Sequence, residues 1–470
     1  MKIFDTLGGG KKELIQPADR PLTMFVCGPT VYDYPHIGNA RTFVFFDMFV
    51  RYLRSRGMTV NYVQNITDID DKIIQRAKEE KTSWRDISKK YEDVYFTNLK
   101  ALGVDTDQMQ FARATEYIPE IIAQIQTLRD KSALYEIPGD GWYFDLTSYT
   151  GYGELARRTI AQAEDGVSRI DNSDKKKNAG DFCVWKFSDE PELQLGDGGL
   201  GAGRPGWHIE DTAITEKLFG VQYDIHGGAL DLKFPHHEAE RALQETASGK
   251  TPFVNLWMHA GFLTVSGAKM SKSLGNFMTV DDILKKMTAD EFRMMLFMHH
   301  YRKPLNFTSE TVTLTRKVLT SLAKGVMHFK QISEFSNVEA DTETSKRIRR
   351  AQEDFHNSLN DDFNTPLALA TINGGLLSFE GYPISKTQAR DIASFIEVEF
   401  KSLGIKLETE KLPGPIPHDQ LPPEVQKLLQ ERELSRASKQ FSQSDDLRKQ
   451  IEQLGYSIED TPAGPLVLPK

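Results

Sequence analysis

Two short stretches of this chain carry residue types that handle phosphate. Pro35-His36-Ile37-Gly38-Asn39 stands where an apolar run gives way to a helical pattern. A helix N-terminus after a parallel strand favours anions, an imidazole there can donate to a phosphate, and a glycine lets a flat base approach the backbone. Taken alone, a histidine at a helix start is most often a cap. Lys269-Met270-Ser271-Lys272-Ser273-Leu274-Gly275-Asn276 sets two lysines in a Ser/Gly loop. Such a cationic clamp suits charge that develops on a transferring phosphate, where catalysis is electrostatic and positional. A third group has metal-ligand types. Cys27 closes an apolar run, and His236 and Glu240 are four apart, so a helix projects both from one face. Asp68-Ile69-Asp70-Asp71 is acidic, but one such cluster reads as a polar helix start rather than a metal site. Cys183, beside Phe182, Val184 and Trp185, reads as a small buried hydrophobe.

The elements that must position these groups follow from the pattern. Residues 22–27 read as a buried strand, 27–30 as a turn, 37–56 as a largely buried helix stopped by Gly57, and 59–64 as a second strand. Strand, turn, helix and strand make a βαβ unit, the start of a parallel sheet. Residues 71–131 read as mostly helical and 135–152 as short strands or a hairpin. Lys175-Lys176-Lys177 reads as a solvated loop, and the glycine-rich 195–206 as a mobile surface loop. Sheet returns at 222–228 and 253–265, and 280–406 is almost all helical. Pro413, Pro415, Pro417, Pro422 and Pro423 mark a linker to a small unit with helices near 424–441 and 443–454.

Composition excludes several classes. The 470 residues imply two to four domains at roughly 150 residues each. With 39% hydrophobic and 27% charged residues the chain is ordinary globular material, too apolar for general disorder. No window approaches the ~20 apolar residues of a membrane span, and the first residues lack a signal-peptide core. Two cysteines make no disulfide framework, so a reducing cytoplasm is the expectation. A net charge of −9 argues against non-specific nucleic-acid binding, although one face can still be basic. Lys346, Arg347, Arg349 and Arg350 are one candidate for such a face; otherwise they form a solvated helix surface.

The two phosphate-type stretches together resemble the nucleotide signatures of class I aminoacyl-tRNA synthetases, His-x-Gly-His and Lys-Met-Ser-Lys-Ser, with Asn39 in place of the final His. Further motifs are similar to those of cysteinyl-tRNA synthetases. They are Cys27-Gly28-Pro29-Thr30-Val31-Tyr32-Asp33, Thr67-Asp68-Ile69-Asp70-Asp71-Lys72, Arg204-Pro205-Gly206-Trp207-His208-Ile209-Glu210, Asp224-Ile225-His226-Gly227-Gly228 and Phe234-Pro235-His236-His237-Glu238. Asp361-Asp362-Phe363-Asn364-Thr365, Leu454-Gly455-Tyr456 and Glu459-Asp460-Thr461-Pro462 extend the likeness over nearly the whole chain.

That resemblance implies an α/β fold: a Rossmann-like parallel-sheet catalytic domain over 1–305 with an insertion at about 100–205, a helical bundle over 306–406 for tRNA, and a small C-terminal anticodon-binding region over 407–470. It implies ATP-dependent ligation of L-cysteine to tRNA(Cys) through a cysteinyl-adenylate. ATP would come with magnesium and meet His36, Gly38, Asn39, Lys269 and Lys272. His36 and the two lysines carry the catalysis. Gly28, Thr30, Trp207 and His226 would meet the substrate cysteine, with His208 nearby. One zinc ion would be held by Cys27, Asp211, His236 and Glu240. The family pattern has a second Cys where this chain has Asp211. A carboxylate is an accepted zinc ligand with the same charge as a thiolate, but harder; the alternative is that Asp211 is no ligand. Two other classes stay open: a ligase that joins activated cysteine to an amino sugar, and a divergent paralogue on the same scaffold. Residues 406–470 and their terminal motif favour tRNA, while Asp211 and the ending Pro465-Leu466-Val467 depart from the family. A cytoplasmic monomer is expected.

Overall fold

In the computed structural model the first βαβ unit forms from strand β1 (Leu22–Val26), helix α1 (Ile37–Ser55) and strand β2 (Val60–Ile66). The structure describes residues 1–158, 175–270, 276–379, 382–409, 416, 418–438, 440–461 and 464–469. Helix α1 is buried on most of its surface, which accounts for its dense Phe content. Gly57 ends its last turn at φ +84°, a conformation that favours glycine. Helix α2 (Asp71–Glu80) begins at Asp70, whose carboxylate accepts the Lys72 amide at 2.8 Å. Asp70 and Asp71 thus form a helix start, while Asp68 accepts from the Thr115 amide at 3.0 Å. Strand β3 (Gln110–Arg113) follows, then helix α3 (Ile209–Phe219), strand β4 (Tyr223–Ala229), helix α4 (Glu238–Ser248) and strand β5 (Val254–Ala260).

The five strands make one parallel sheet in the order β5-β4-β1-β2-β3. From β1 the chain steps outward through β2 and β3, then returns to the other side of β1 for β4 and β5. The order therefore reverses between β1 and β4, and ligands of open α/β sheets bind beyond the carboxyl ends at such a switch point. Register places Phe25 beside His226 and Val26 beside Gly227.

Between β3 and α3 the chain builds a second, four-stranded antiparallel sheet from Leu134–Ile137, Gly141–Phe144, Phe182–Phe187 and Gly203–Pro205. Cys183 is buried there beside Ile137 and Tyr143. The stretch 195–206, expected as a mobile loop, is pinned: Trp142 Nε1 donates to Leu200 O and Trp185 Nε1 to Gly201 O, each at 2.8 Å. Glycine there serves close packing, since a Cβ on Gly203 would lie 2.2 Å from the Lys186 carbonyl. Strand β3 was also missed, because its four residues, Gln-Phe-Ala-Arg, are only partly buried.

The described chain divides into two compact units, Met1–Val312 with Asn360–Asn364, and Thr313–Leu359 with Thr365–Lys470. In the first, Asp362 accepts from the Phe4 amide at 3.0 Å, Tyr301 Oη at 2.8 Å and Arg302 Nε at 2.8 Å. The second unit is built from the long helices Ser309–Phe335, Thr342–Asn360 and Lys386–Ser402. Its last part pairs the helices Pro423–Ala437 and Phe441–Gln453 with an antiparallel hairpin, Tyr456–Thr461 and Gly464–Pro469, around Leu429, Ile451, Ile458 and Val467. Among the described residues, no helix is long and apolar enough to cross a membrane.

Candidate active site and metal centre

Cys27 follows β1 directly, and its amide donates to the Gly227 carbonyl of β4 at 3.1 Å. The thiol therefore stands at the switch point. Its 4% exposure lies on a cavity of about 380 Å³ that is also bordered by Thr30, Trp207, Asp211 and His236, and by His36, Gly38 and Asn39. One cavity thus joins the metal-ligand types to the phosphate-type helix start.

Asp211 comes from the first turn of α3, Glu240 from that of α4, and His236 from the irregular turn Lys233–His237 before α4. Cys27 Sγ is 3.6 Å from Asp211 Oδ2 and 3.8 Å from Glu240 Oε1. His236 Nε2 is 3.0 Å from Asp211 Oδ2 and 2.9 Å from Glu240 Oε1. These four donor atoms lie within 4.8 Å of one another, a span that bonds of about 2.0–2.3 Å to one ion accommodate. Asp211 Oδ1 and Glu240 Oε2 are buried without a hydrogen-bond partner among the described residues. Two orphaned carboxylate oxygens are costly without a cation, so the donor set fits a divalent metal. Burial and the two carboxylates push the Cys27 thiol well up. Burial raises the Glu240 carboxyl, and for His236 the neighbouring carboxylates outweigh burial and raise the imidazole. Protons and a metal compete for this cluster.

Trp207 stacks on the His236 ring at 4.1 Å and 14°, fixing its plane on the cavity wall. Gly28 is required by packing, because a Cβ there would lie 1.8 Å from the Asn65 carbonyl oxygen. Its amide donates to Asn65 Oδ1 at 2.6 Å. Thr67 Oγ1 donates to Glu210, and Asn65 Nδ2 approaches the same carboxyl at 3.4 Å. His226 lies behind Cys27, fully buried and off the cavity wall, with Nε2 3.3 Å from Sγ. Sequence reasoning reads His237 as a group behind the ligands or on the helix surface, and passes over His259. His237 Nε2 is 3.1 Å from Cys27 Sγ, and its Nδ1 is 2.8 Å from His259 Nε2. The signal was the His236-His237 pair, which the irregular turn Lys233–His237 lets point inward together.

His36 caps α1 and borders the cavity. Its Nδ1 accepts the amides of Gly38 at 3.1 Å and Asn39 at 3.3 Å, and Asn39 Oδ1 accepts the His36 amide at 3.2 Å. The Ile37 amide donates to Met278 O at 3.1 Å. The first amides of the helix are therefore already satisfied, and the imidazole is what the helix start offers a ligand. With Nδ1 accepting, the ring proton sits on Nε2. Burial lowers the imidazole's pKa, favouring the neutral ring. The space over Gly38 is filled, with a Cβ there 2.9 Å from the His36 ring and 3.2 Å from Met270. Buried Arg41, one turn on, donates to the carbonyls of Phe262, Tyr301 and Lys303 and so holds another part of the cavity wall. Lys269 pairs its backbone with Thr264 in a short antiparallel ladder; Lys272 lies outside the described residues.

A model of the class I (C) tRNA synthetase catalytic domain matches residues 14–317, and a model of the cysteinyl-tRNA ligase anticodon-binding domain matches residues 418–464. A cysteine–tRNA ligase of Carboxydothermus hydrogenoformans is 39% identical over 99% of both chains. The chain belongs to the cysteinyl-tRNA synthetase family. A second such ligase, from Finegoldia magna, is 36% identical over 99% of this chain and 98% of its own. Among solved structures, a Mycobacterium tuberculosis methionyl-tRNA synthetase bound to methionyl-adenylate shares the fold, with a TM-score of 0.56 and 14% identity over 82% of this chain and 90% of its own. A putative arginyl-tRNA synthetase from Campylobacter jejuni matches likewise, with a TM-score of 0.56 and 13% identity over 84% and 95%.

Proposed function

We propose that this chain activates L-cysteine with ATP and transfers it to tRNA(Cys). The observation that carries the reading is the cavity at the switch point, where the cap of α1 and a Cys/Asp/His cluster share one wall. In the first step the cysteine carboxylate attacks the α-phosphorus of ATP, forming cysteinyl-adenylate and releasing pyrophosphate. In the second, the terminal ribose hydroxyl of tRNA attacks the acyl carbon and AMP leaves.

The residues divide this work. His36 donates through Nε2 to a phosphate oxygen, and Asn39 keeps its ring in that tautomer through the cap. Lys269 and Lys272 stabilise charge on the departing pyrophosphate, and magnesium accompanies the ATP. Gly28, Thr30 and Trp207 border the amino acid. Cys27, Asp211, His236 and Glu240 would hold a zinc ion. That ion would supply a borderline-soft Lewis acid that favours a thiol over the nearly isosteric hydroxyl of serine. Shape alone gives only weak discrimination between such isosteres. Four basic residues on the helix Thr342–Asn360, Lys346, Arg347, Arg349 and Arg350, are exposed and available to phosphates of the tRNA. We read the working enzyme as a cytoplasmic monomer.

The match over 418–464 favours tRNA over an amino sugar as acceptor. A charging assay tests this: cysteine should become ester-linked to tRNA(Cys) in an ATP-dependent reaction. Transfer to an amino sugar with none to tRNA would contradict the reading.

A further inference from the structure

Arg41 sits in the second turn of α1 and is 3% exposed. Its guanidinium donates to three backbone carbonyls, those of Phe262, Tyr301 and Lys303. No carboxylate pairs with it among the described residues. The other buried arginines among these residues each have one: Arg204 pairs with Asp71, Arg241 with Glu154, Arg293 with Asp47 and Arg432 with Asp460. Burial lowers the Arg41 guanidinium to about 10, so it stays charged at neutral pH. A buried cation without a counter-ion is costly, and hydrogen bonds to carbonyls offset only part of that cost.

The three carbonyls belong to one corner of the cavity wall. The Gly261 amide donates to Tyr301 O at 2.8 Å and the Leu305 amide to Phe262 O at 2.9 Å, so Arg41 takes the second lone pair of each. Packing is tight, since a Cβ on Gly261 would lie 2.7 Å from Lys303 O. Phe262 leads directly into the short strand Leu263–Val265, which pairs with Leu305–Phe307 on one side and Ala268–Lys269 on the other. Arg41 therefore joins two parts that handle phosphate in the proposed function. One is helix α1, capped by His36; the other is the strand on which Lys269 hangs. Gly261, Phe262 and Leu263 border the cavity, and the guanidinium lies one carbonyl behind them.

We propose that Arg41 is a positioning residue for cysteine activation. It fixes the strand that carries Lys269 against the helix that presents His36, and the phosphates of bound ATP supply the counter-charge it lacks. A cation held in place beforehand needs no rearrangement as negative charge develops on the departing pyrophosphate. The planar fork and the charge contribute separately: the fork sets the geometry of the wall, and the charge adds to ATP affinity. The inference rests on the proposed activation of cysteine by ATP.

Kinetics of ATP–pyrophosphate exchange by the full-length chain separate the two contributions. Arg41→Lys keeps the charge but not the fork, so kcat should fall about 100-fold while KM for ATP stays near the parent value. Arg41→Gln loses the charge as well, so KM for ATP should also rise about tenfold. KM for cysteine should stay near the parent value in both variants. Transfer to tRNA from adenylate formed beforehand should slow far less than activation, because pyrophosphate has already left. A parent-like kcat in Arg41→Lys, or a parent-like KM for ATP in folded Arg41→Gln, would overturn the inference. Equal losses in both steps and in KM for cysteine, the pattern of a purely structural residue, would overturn it too. Where Arg41→Gln does not fold, Arg41→Lys alone decides. Absence of cysteine-dependent exchange in the parent chain would instead overturn the proposed function.

Discussion

At position 211 a carboxylate faces the Cys27 thiol across 3.6 Å, where the family pattern has a second cysteine. The charge of the donor set is the same with either residue; its softness is not. Asp211→Cys should therefore shift metal preference toward softer ions. In competition titrations the variant should favour cadmium over zinc by at least about tenfold more than the parent chain. An unchanged ratio would mean that Asp211 does not touch the metal. Cys27, His236 and Glu240 were readable from the sequence because a strand end and an i, i+4 spacing each have a geometric meaning. The packing of His226 and His237 against the Cys27 thiol was not. It depends on the irregular turn Lys233–His237 and on the register of β4, neither of which a local pattern specifies.

At the scale of an element, the start of α1 has two duties that a substitution can separate. His36 satisfies two amides through Nδ1 and leaves Nε2 as a donor. His36→Ala should cost about 0.5–2 kcal/mol of stability through the lost cap, and activity as well. His36→Asn replaces the cap with a good capping residue but lacks the ring donor. It should melt near the parent temperature while cysteine activation falls about 100-fold. Parent-like activity in a stable His36→Asn would remove the imidazole from phosphate handling. The strand–turn–helix order around this cap was visible in the apolar periodicity, and so was most of the sheet. Strand β3 was not, since a short edge strand with polar ends has too little buried surface to leave a pattern.

At the scale of the molecule, Asn360–Asn364 groups with the first unit although the chain on either side belongs to the second. Asp362 anchors it. Burial pushes this carboxyl up, but hydrogen bonds from His300, the Phe4 amide, Tyr301 and Arg302 outweigh burial and bring it from 3.8 to about 2. A carboxylate depressed by folding adds stability that is complete above the unfolded value. That stability should fade as pH falls from 3.8 toward about 2. Asp362→Asn should unfold at lower denaturant at neutral pH and show a shallower loss across that acid window. An acid limb identical to the parent's would contradict the anchor. The helices of the second unit were foreseen from the long run of helical pattern, but the return of this segment to the first unit was not, because it rests on contacts far apart in sequence.

The central claim is that one cavity activates cysteine with ATP and selects its thiol through a metal. ATP–pyrophosphate exchange measures that step directly, run with cysteine or serine and with or without a zinc chelator. The account predicts exchange that needs cysteine, ignores serine at equal concentration and collapses when zinc is removed. Exchange that proceeds equally with serine, or persists undiminished in metal-free protein, would contradict it.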